Sequence, residues 1–274
     1  MLNESTGYRP LTAGLRWMLL VACALVFIVG IQLFILSEQT ERYFAWTVNP
    51  PLTAAFLGAA FWASGVLELL AARRPLWAFA RIAVPAVLLF TSLTLVATLL
   101  HLDRFHLDTA FGWVWLAVYV AVPPIMLVLF VRQLRAPGGD PPRRAPLDGR
   151  LRLVLGLQAA LLLVVGAALF LAPQAAAPFW PWMLTPLTAR AVAAWLLALG
   201  LAAAHVIREG DWERGRVAMV AYAVLGALEL VALARYAGAI DWSGPRAWIY
   251  LLFLLSILAV GAYGWRAAER QAGP

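Results

Sequence analysis

The sequence predicts an all-α, polytopic membrane protein with eight transmembrane helices arranged as two tandem four-helix repeats. Three features carry this prediction: an extreme apolar composition, eight consecutive apolar segments, and a self-similarity at a spacing of 135 residues. Of 274 residues, 64% are hydrophobic and 13% are charged, whereas soluble domains are about 45–50% apolar and about 25% charged. The composition excludes a soluble globular protein, because a core of this size could not bury so much apolar surface, and it excludes a disordered chain.

Each apolar segment is long enough to cross a bilayer. A spanning helix needs about 20 mostly apolar residues, because the hydrocarbon core is about 30 Å thick. The candidate spans are residues 15–37, 52–72, 78–101, 111–132, 151–172, 187–207, 215–236 and 246–266. Their length and their richness in alanine and leucine favour helices over barrel strands. The first span is longer than the apolar core of a signal peptide and lacks a cleavage site, so we expect it to be retained.

The arginines predict the orientation of these spans. All 21 basic residues are arginine, and 16 of them fall on the side that would hold both chain ends and every second loop, against 5 on the other side. Positive residues accumulate in cytoplasmic loops. The arginine bias therefore predicts that both termini lie on the cytoplasmic side of a bacterial plasma membrane. Because the arginines flank apolar segments rather than forming a basic polar surface, they do not indicate nucleic-acid binding.

The self-similarity indicates a duplication. Residues 51–97 are identical at 16 of 47 positions to the residues that lie 135 further on. Pro51-Leu52-Thr53-Ala54 matches Pro186-Leu187-Thr188-Ala189, and tryptophan and arginine positions match as well. We therefore predict a first unit over 1–135, a Pro/Gly/Arg-rich cytoplasmic linker over 136–149 and a second unit over 150–274. An even number of helices per unit predicts that the units are related by an axis along the membrane normal.

The small residues of the second and sixth spans predict that these helices lie near the centre, where close packing is needed. The first unit also has Pro85 in its third span and Pro123-Pro124 in its fourth. Each proline removes a helical hydrogen bond, so we expect both helices to bend there.

Two acidic residues lie within the spans and are candidates for ligand binding or ion coupling. A carboxylate deep in a membrane costs several kcal/mol unless it is protonated or paired. Glu229 is the leading candidate, and Thr94 occupies the equivalent position of the first unit. Arg235, six residues further on, is a candidate partner for Glu229, although the spacing is not ideal. A structural hydrogen bond between helices is the alternative for Glu229. Glu68 is the second candidate, and the alternative is that its side chain extends to the lipid head groups or to Arg73.

A polar cluster after the third span is a candidate metal site. His101, Asp103, His106 and Asp108 combine imidazole and carboxylate groups, which suit zinc or manganese. Their spacing matches no established metal motif, so an ordinary polar loop is the alternative. No phosphate-binding, dinucleotide-binding or serine-nucleophile motif is present in the sequence, so it identifies neither a catalytic residue nor a cofactor.

Two segments resemble multi-pass membrane proteins of high-GC bacteria. The resemblance is carried by Phe44-Ala45-Trp46, by the stretch 50–59 that contains Pro50-Pro51-Leu52-Thr53, and by Pro186-Leu187-Thr188-Ala189-Arg190. It implies a duplicated four-helix unit and no particular activity.

Three functions are compatible with the sequence. The preferred one is a non-enzymatic scaffold or accessory subunit that has a membrane-protein partner in the bilayer, because few polar residues lie within the spans. The first alternative is a small-solute or ion-coupled transporter with its site between the two halves. The second is a membrane enzyme that acts on a lipid or a quinone.

Overall fold

The structure is a computed structural model, and it describes residues 7–271. Over these residues the chain is helical, and eight of the described helices are long and apolar enough to span a membrane. They are α1 (Ala13–Ile35), α2 (Pro51–Ala72), α3 (Ala83–Leu100), α4 (Ala110–Leu134), α5 (Gly149–Leu171), α6 (Pro186–Glu209), α7 (Trp212–Arg235) and α8 (Pro245–Gln271). The last five residues of α1, Ile31–Ile35, form a π-helix. The prediction of an eight-helix membrane protein is confirmed.

Several of these helices are capped at their N-termini by residues with side-chain oxygens. The side chains of Thr109 and Asp148 accept hydrogen bonds from backbone N–H groups in the first turns of α4 and α5, and Asp211 does the same for α7. At α6, Thr185 and Thr188 satisfy each other's backbone N–H groups as a capping box. These caps define where the helices begin because the first N–H groups of a helix have no partner within it.

The structure corrects two expectations in the first half. The third span begins at Ala83 rather than at residue 78, because Trp77–Phe79 forms a 3-10 turn. Pro85 therefore lies in the first turn of α3, where its missing N–H removes no helical hydrogen bond, so the reason for a bend there disappears. Pro123 and Pro124 do lie in the interior of α4.

The helices alternate in direction, so both described chain ends lie at one membrane face, which we call the terminal face. There, Leu11 N donates to Pro75 O at 2.9 Å, which joins the start of α1 to the end of α2. At the opposite face, Arg235 Nη1 donates to Phe34 O at 2.7 Å and joins the ends of α7 and α1. These contacts fix which helix ends share a face.

Four helices form the centre of the bundle. α2 packs against α7, and α3 packs against α6. Each of these helices also carries an outer neighbour: α1 on α2, α4 on α3, α5 on α6, and α8 on α7. As expected, α2 is central, and it is the most buried span, with 78% of its apolar window inside the protein. The principal partner of α2 in the second half is α7 rather than α6.

A short segment before the first helix of each half is hydrogen-bonded to the rest of that half at the terminal face. We call these two segments the lead-in segments. Residues 9–11 precede α1 and residues 145–147 precede α5, and each segment makes two backbone hydrogen bonds to the turn between the second and third helices of its own half. These bonds are Leu11 N to Pro75 O (2.9 Å), Trp77 N to Arg9 O (3.1 Å), Leu147 N to Gly210 O (3.1 Å) and Trp212 N to Ala145 O (2.7 Å). The last residues of the predicted linker are therefore ordered by pairing with the α6–α7 turn.

A buried ionic network ties the linker to both halves. Glu209, at the end of α6, accepts from Arg81 Nε at 2.6 Å and from Arg214 Nη1 at 3.0 Å. Arg81 also donates to Asp140 of the linker at 2.5 Å, and Arg214 donates to Pro141 O at 2.5 Å. Burial lowers the pKa of Arg81, but its bonds to Glu209 and Asp140 outweigh burial and raise that pKa overall. The network therefore holds charged side chains from α6, α7, the α2–α3 turn and the linker together.

Candidate functional site

Glu68 lies four residues before the end of α2, and its side chain is completely buried. Ser64 Oγ, one helical turn earlier, donates to Glu68 Oε1 at 3.1 Å. The second oxygen, Oε2, has no hydrogen-bond partner within the described chain. The expectation that Glu68 reaches the head groups or Arg73 is wrong, because α2 is a central helix and its side chains face protein on nearly every side.

Glu68 lies in the wall of a cavity inside the first half. This first-half cavity has a volume of about 310 Å³ and is bordered by α1 to α4 and by the loop residues Phe44 and Ala45. The wall is mostly apolar and aromatic, with a few polar side chains that include Gln32, Ser64 and Tyr119. An apolar pocket with a few convergent polar groups, at about this size, is typical of a small-molecule site.

Glu229 lies in the wall of a second cavity. It is 2% exposed on α7, and Tyr250 O–H of α8 donates to its Oε2 at 3.4 Å, a long hydrogen bond. Its other oxygen, Oε1, has no partner within the described chain. Arg235, the candidate partner from the sequence, instead donates to the backbone of α1 at Phe34. The bond from Tyr250 is the hydrogen bond between helices that the sequence offered as the alternative, and it leaves one carboxylate oxygen without a partner in the described chain.

This second-half cavity has a volume of about 220 Å³ and is bordered by α5 to α8 and the loop at Phe179–Pro181. Among the first-half residues that the structure describes, only Phe56 of α2 contributes to its wall. The site around Glu229 thus lies within the second half and not between the halves. A smaller cavity of about 50 Å³ does lie between them, and its wall includes Ser64 and Trp195 but neither Glu68 nor Glu229.

Most wall residues of the second-half cavity lie 135 residues after a wall residue of the first-half cavity. The shared positions include Phe44 and Phe179, Phe61 and Leu196, Phe90 and Leu225, Val114 and Ile249, Trp115 and Tyr250, Val118 and Phe253, and Val122 and Ile257. The acids do not correspond. Glu68 matches Ala203, and Glu229 matches Thr94, so each cavity has its own carboxylate from a different helix.

Buried polar atoms without a partner are concentrated at these cavities. The part of the chain that the structure describes contains five of them: Trp46 Nε1, Glu68 Oε2, Thr94 Oγ1, Trp180 Nε1 and Glu229 Oε1. Three of the five are on residues of the cavity walls, namely Glu68, Trp180 and Glu229. Leaving a buried polar atom unpaired costs about 1–3 kcal/mol, and more for a charged group, so these three positions are where a bound partner would gain most.

Thr94, the third candidate from the sequence, is separate from both acids. It is buried on α3, but it is not among the wall residues of the described cavities. Its backbone oxygen accepts from Thr98 Oγ1 at 2.8 Å. The structure therefore does not bring Thr94 together with Glu68 or Glu229.

The candidate metal ligands have other partners. Arg190 Nη1 donates to His101 Nε2 at 2.6 Å, and burial together with the Arg190 charge lowers the pKa of His101. His106 contacts Phe44 O and Thr47 Oγ1, both at 3.2 Å. Asp103 forms an exposed ion pair with Arg104 at 3.0 Å. No three His, Cys, Asp or Glu side chains of residues 7–271 come together as a metal site, Asp108 included.

Several site residues were not recognised in the sequence. Trp180 looked like an interfacial anchor, and Arg246 like an ordinary loop arginine. Gln32 and Tyr119 gave no signal because hydropathy shows depth but not which face of a helix meets a cavity. The 135-residue spacing could have located Tyr250, since Trp115 lines the equivalent cavity.

Comparisons with protein-family models, with curated proteins and with solved structures found no match to the chain. The function must therefore be inferred from the chemistry of its own cavities.

Proposed function

We propose that the protein binds a lipid-soluble small molecule that carries a hydrogen-bond donor, inside the first-half cavity. The observation that carries this proposal is the completely buried carboxylate of Glu68, a residue of the cavity wall whose Oε2 has no partner within the described chain. An amine or hydroxyl group of a ligand would supply the missing donor. An ammonium group would also compensate the charge, which is otherwise costly at this depth.

The rim of the cavity supports a ligand that arrives through the lipid. Ile28 on α1 and Val114 on α4 line the cavity and are also 55% and 59% exposed on the surface of the bundle. α1 and α4 are outer helices, so this surface faces the bilayer. A lateral opening between apolar helices admits molecules dissolved in the membrane more readily than hydrated solutes.

Binding of this kind fits the transporter alternative better than a scaffold without a ligand. A scaffold with a membrane-protein partner stays a prediction, and so does an enzyme that acts on a lipid or quinone. The deciding observation is the unsatisfied acid, because a purely structural bundle gains no stability from a buried group without a partner.

We also infer that the chain is a tandem duplication with units over 1–135 and 150–274. The matching lead-in segments, the α2–α7 and α3–α6 contacts, and the equivalent cavity walls support this inference. A two-fold axis along the membrane normal would place α2 on α6 and α3 on α7. The same rotation would convert the α2–α7 contact into the α3–α6 contact, as expected for two related units.

The arginine bias supports a bacterial plasma-membrane location with the terminal face in the cytoplasm. A C-terminal fusion to a fluorescent protein that folds only in the cytoplasm is expected to fluoresce, and a fusion to a periplasm-dependent phosphatase is expected to be inactive. The reverse pattern would contradict this orientation.

The binding proposal is tested with three probes of equal chain length: dodecylamine, dodecanol and dodecane. We expect Glu68→Gln to weaken dodecylamine binding by about 10- to 100-fold, because a hydrogen bond to a charged group contributes about 1.5–3 kcal/mol. Dodecane binding should stay unchanged. The measurement is native mass spectrometry of the purified protein during titration with each probe.

Two controls make the result specific. The titration is repeated in a Glu229→Gln background, so that the second-half cavity cannot supply a carboxylate, and Glu41→Gln serves as an exposed control. Equal dodecylamine binding by the Glu229→Gln protein and by the Glu68→Gln/Glu229→Gln protein would refute the proposal.

A further inference from the structure

We propose that the second-half cavity is a binding site for a phospholipid whose head group carries a primary amine. In this proposal Glu229 accepts from the ammonium group, Arg246 and the indole N–H of Trp180 donate to the phosphate, and the apolar wall holds an acyl chain. The three side chains that recognise the head group all belong to one cavity wall.

The position of these groups matches the depth of a head group. Arg246 is the second residue of α8, and Trp180 lies in the loop before α6, so both are at the opposite face. Glu229 is six residues before the end of α7, which places it about 9 Å below that end at the rise of an α-helix. The phosphate of a zwitterionic head group therefore lies beside Arg246 and Trp180 at the opposite face, and its ammonium group lies beside Glu229, deeper in the bundle.

Each of these groups has bonding capacity left for a ligand. Glu229 Oε1 and Trp180 Nε1 are buried without a partner in the described chain. Arg246 donates from Nη1 to Pro178 O at 2.6 Å, and its side chain is exposed, so a guanidinium with five N–H groups keeps donors for a phosphate. Arginine suits this role because its planar N–H groups match the oxygens of a phosphate.

The remaining wall fits an acyl chain that enters from the bilayer. Leu162, Val165 and Leu254 extend the cavity into the bundle as an apolar surface. Leu161 and Ile249 line the cavity and are also 47% and 62% exposed towards the surrounding lipid. A phospholipid could thus occupy the site with its head at the opposite face and one chain between α5 and α8.

The first-half cavity lacks this arrangement, although its wall is otherwise equivalent. The residues 135 positions before Trp180, Glu229 and Arg246 are Ala45, Thr94 and Phe111. None of these three carries a charge, and Glu68 lies close to the terminal face instead. The combination of Trp180, Glu229 and Arg246 is therefore specific to the second half. We expect the two cavities to select different ligands.

The test uses three lipids that share dilauroyl chains and differ only in the head group: phosphatidylethanolamine, phosphatidylcholine and phosphatidylglycerol. Native mass spectrometry of the full-length protein is expected to show tightest binding of the ethanolamine lipid, because the choline head has no N–H donor and the glycerol head no ammonium. Glu229→Gln should weaken ethanolamine-lipid binding by about 10-fold or more. It should weaken the choline lipid less, because the quaternary ammonium keeps its charge but has no N–H donor, and it should not weaken the glycerol lipid.

Arg246→Gln should weaken all three lipids, because all three carry the phosphate. Glu68→Gln, in the other cavity, should weaken none of them, and it also separates this inference from the proposed function. Equal affinity of the wild-type protein for the three lipids, or an unchanged ethanolamine-lipid affinity in Glu229→Gln, would overturn the proposal. Since glutamine has the size of glutamate, a thermal unfolding midpoint close to that of the wild type verifies that the variant is folded.

Discussion

Replacement of Glu209 with alanine is expected to lower the free energy of unfolding by about 3–5 kcal/mol, the usual cost of removing one partner from a buried ion pair. Glu209 and Arg214 have side chains that are 3% and 4% exposed, and Arg81 is 17% exposed. Without this carboxylate, the two guanidinium groups would share only Asp140, which is partly exposed, as an anionic partner. The midpoint of thermal or denaturant unfolding in detergent measures the loss.

Asp103→Ala is the matched control. Asp103 also pairs with an arginine, Arg104, at 3.0 Å, but both side chains are about 70% exposed, so the expected loss is at most about 1 kcal/mol. Equal shifts of the unfolding midpoint in the two variants would show that the buried network at Glu209 contributes no more to stability than an exposed ion pair.

The same substitution is expected to release the linker. Arg81 and Arg214 contact Asp140 and Pro141 of the linker, and Glu209 bonds both guanidinium groups. Without Glu209 we expect these guanidinium groups to be less well positioned to hold the linker. Trypsin should therefore cleave Glu209→Ala after Arg143 or Arg144 faster than it cleaves the wild-type protein. An unchanged cleavage rate would mean that the backbone pairing of residues 145–147 is sufficient to hold the linker.

Introduction of a side chain at Gly226 is the second change for which we expect a large effect. α7 and α8 form a close helix pair, and a Cβ atom at Gly226 would lie 2.7 Å from Leu258 N and 2.9 Å from Leu258 Cα. These are backbone atoms of α8, so they cannot move without displacing the helix. We expect Gly226→Val to cost at least about 1–3 kcal/mol, the usual range for overpacking a core.

Gly238→Ala is the control for that variant, because a Cβ atom at Gly238 would have no neighbour within 4 Å. Its effect on the unfolding midpoint should lie within about 0.5 kcal/mol, as for other surface substitutions. If Gly226→Val unfolded at the same midpoint as Gly238→Ala, the close approach of α7 and α8 would not be required for stability.

Much of the secondary structure could be predicted because it depends on local chemistry. Bilayer thickness sets the length of a span, so the predicted and observed helices agree closely at α1, α2 and α4. The start of α3 differs from the prediction, because Trp77–Phe79 forms a 3-10 turn in which Trp77 N donates to Arg9 O. That bond joins residues far apart in the sequence, and no local signal predicts it.

The environment of the two acids could be predicted only in part. Hydropathy alone places Glu68 and Glu229 inside spans, and it therefore shows that burial of their carboxylates costs free energy. Whether Glu68 turns to Arg73 or to a cavity, and whether Glu229 meets Arg235 or Tyr250, depends on the rotation of each helix about its axis. Packing against neighbouring helices sets that rotation, and spans that are apolar on nearly every face carry little information about it.

Composition and segment length are therefore enough to predict the membrane class, the number of helices and the residues whose burial is costly, because transfer from water to lipid depends on both. Helix packing, in contrast, is what makes the two acids line separate cavities, brings Trp180 and Arg246 into one wall with Glu229, and lets Glu209 anchor the linker. These relations arise where helices from distant parts of the chain meet, since side chains that share a site are brought together by packing and not by their order along the chain.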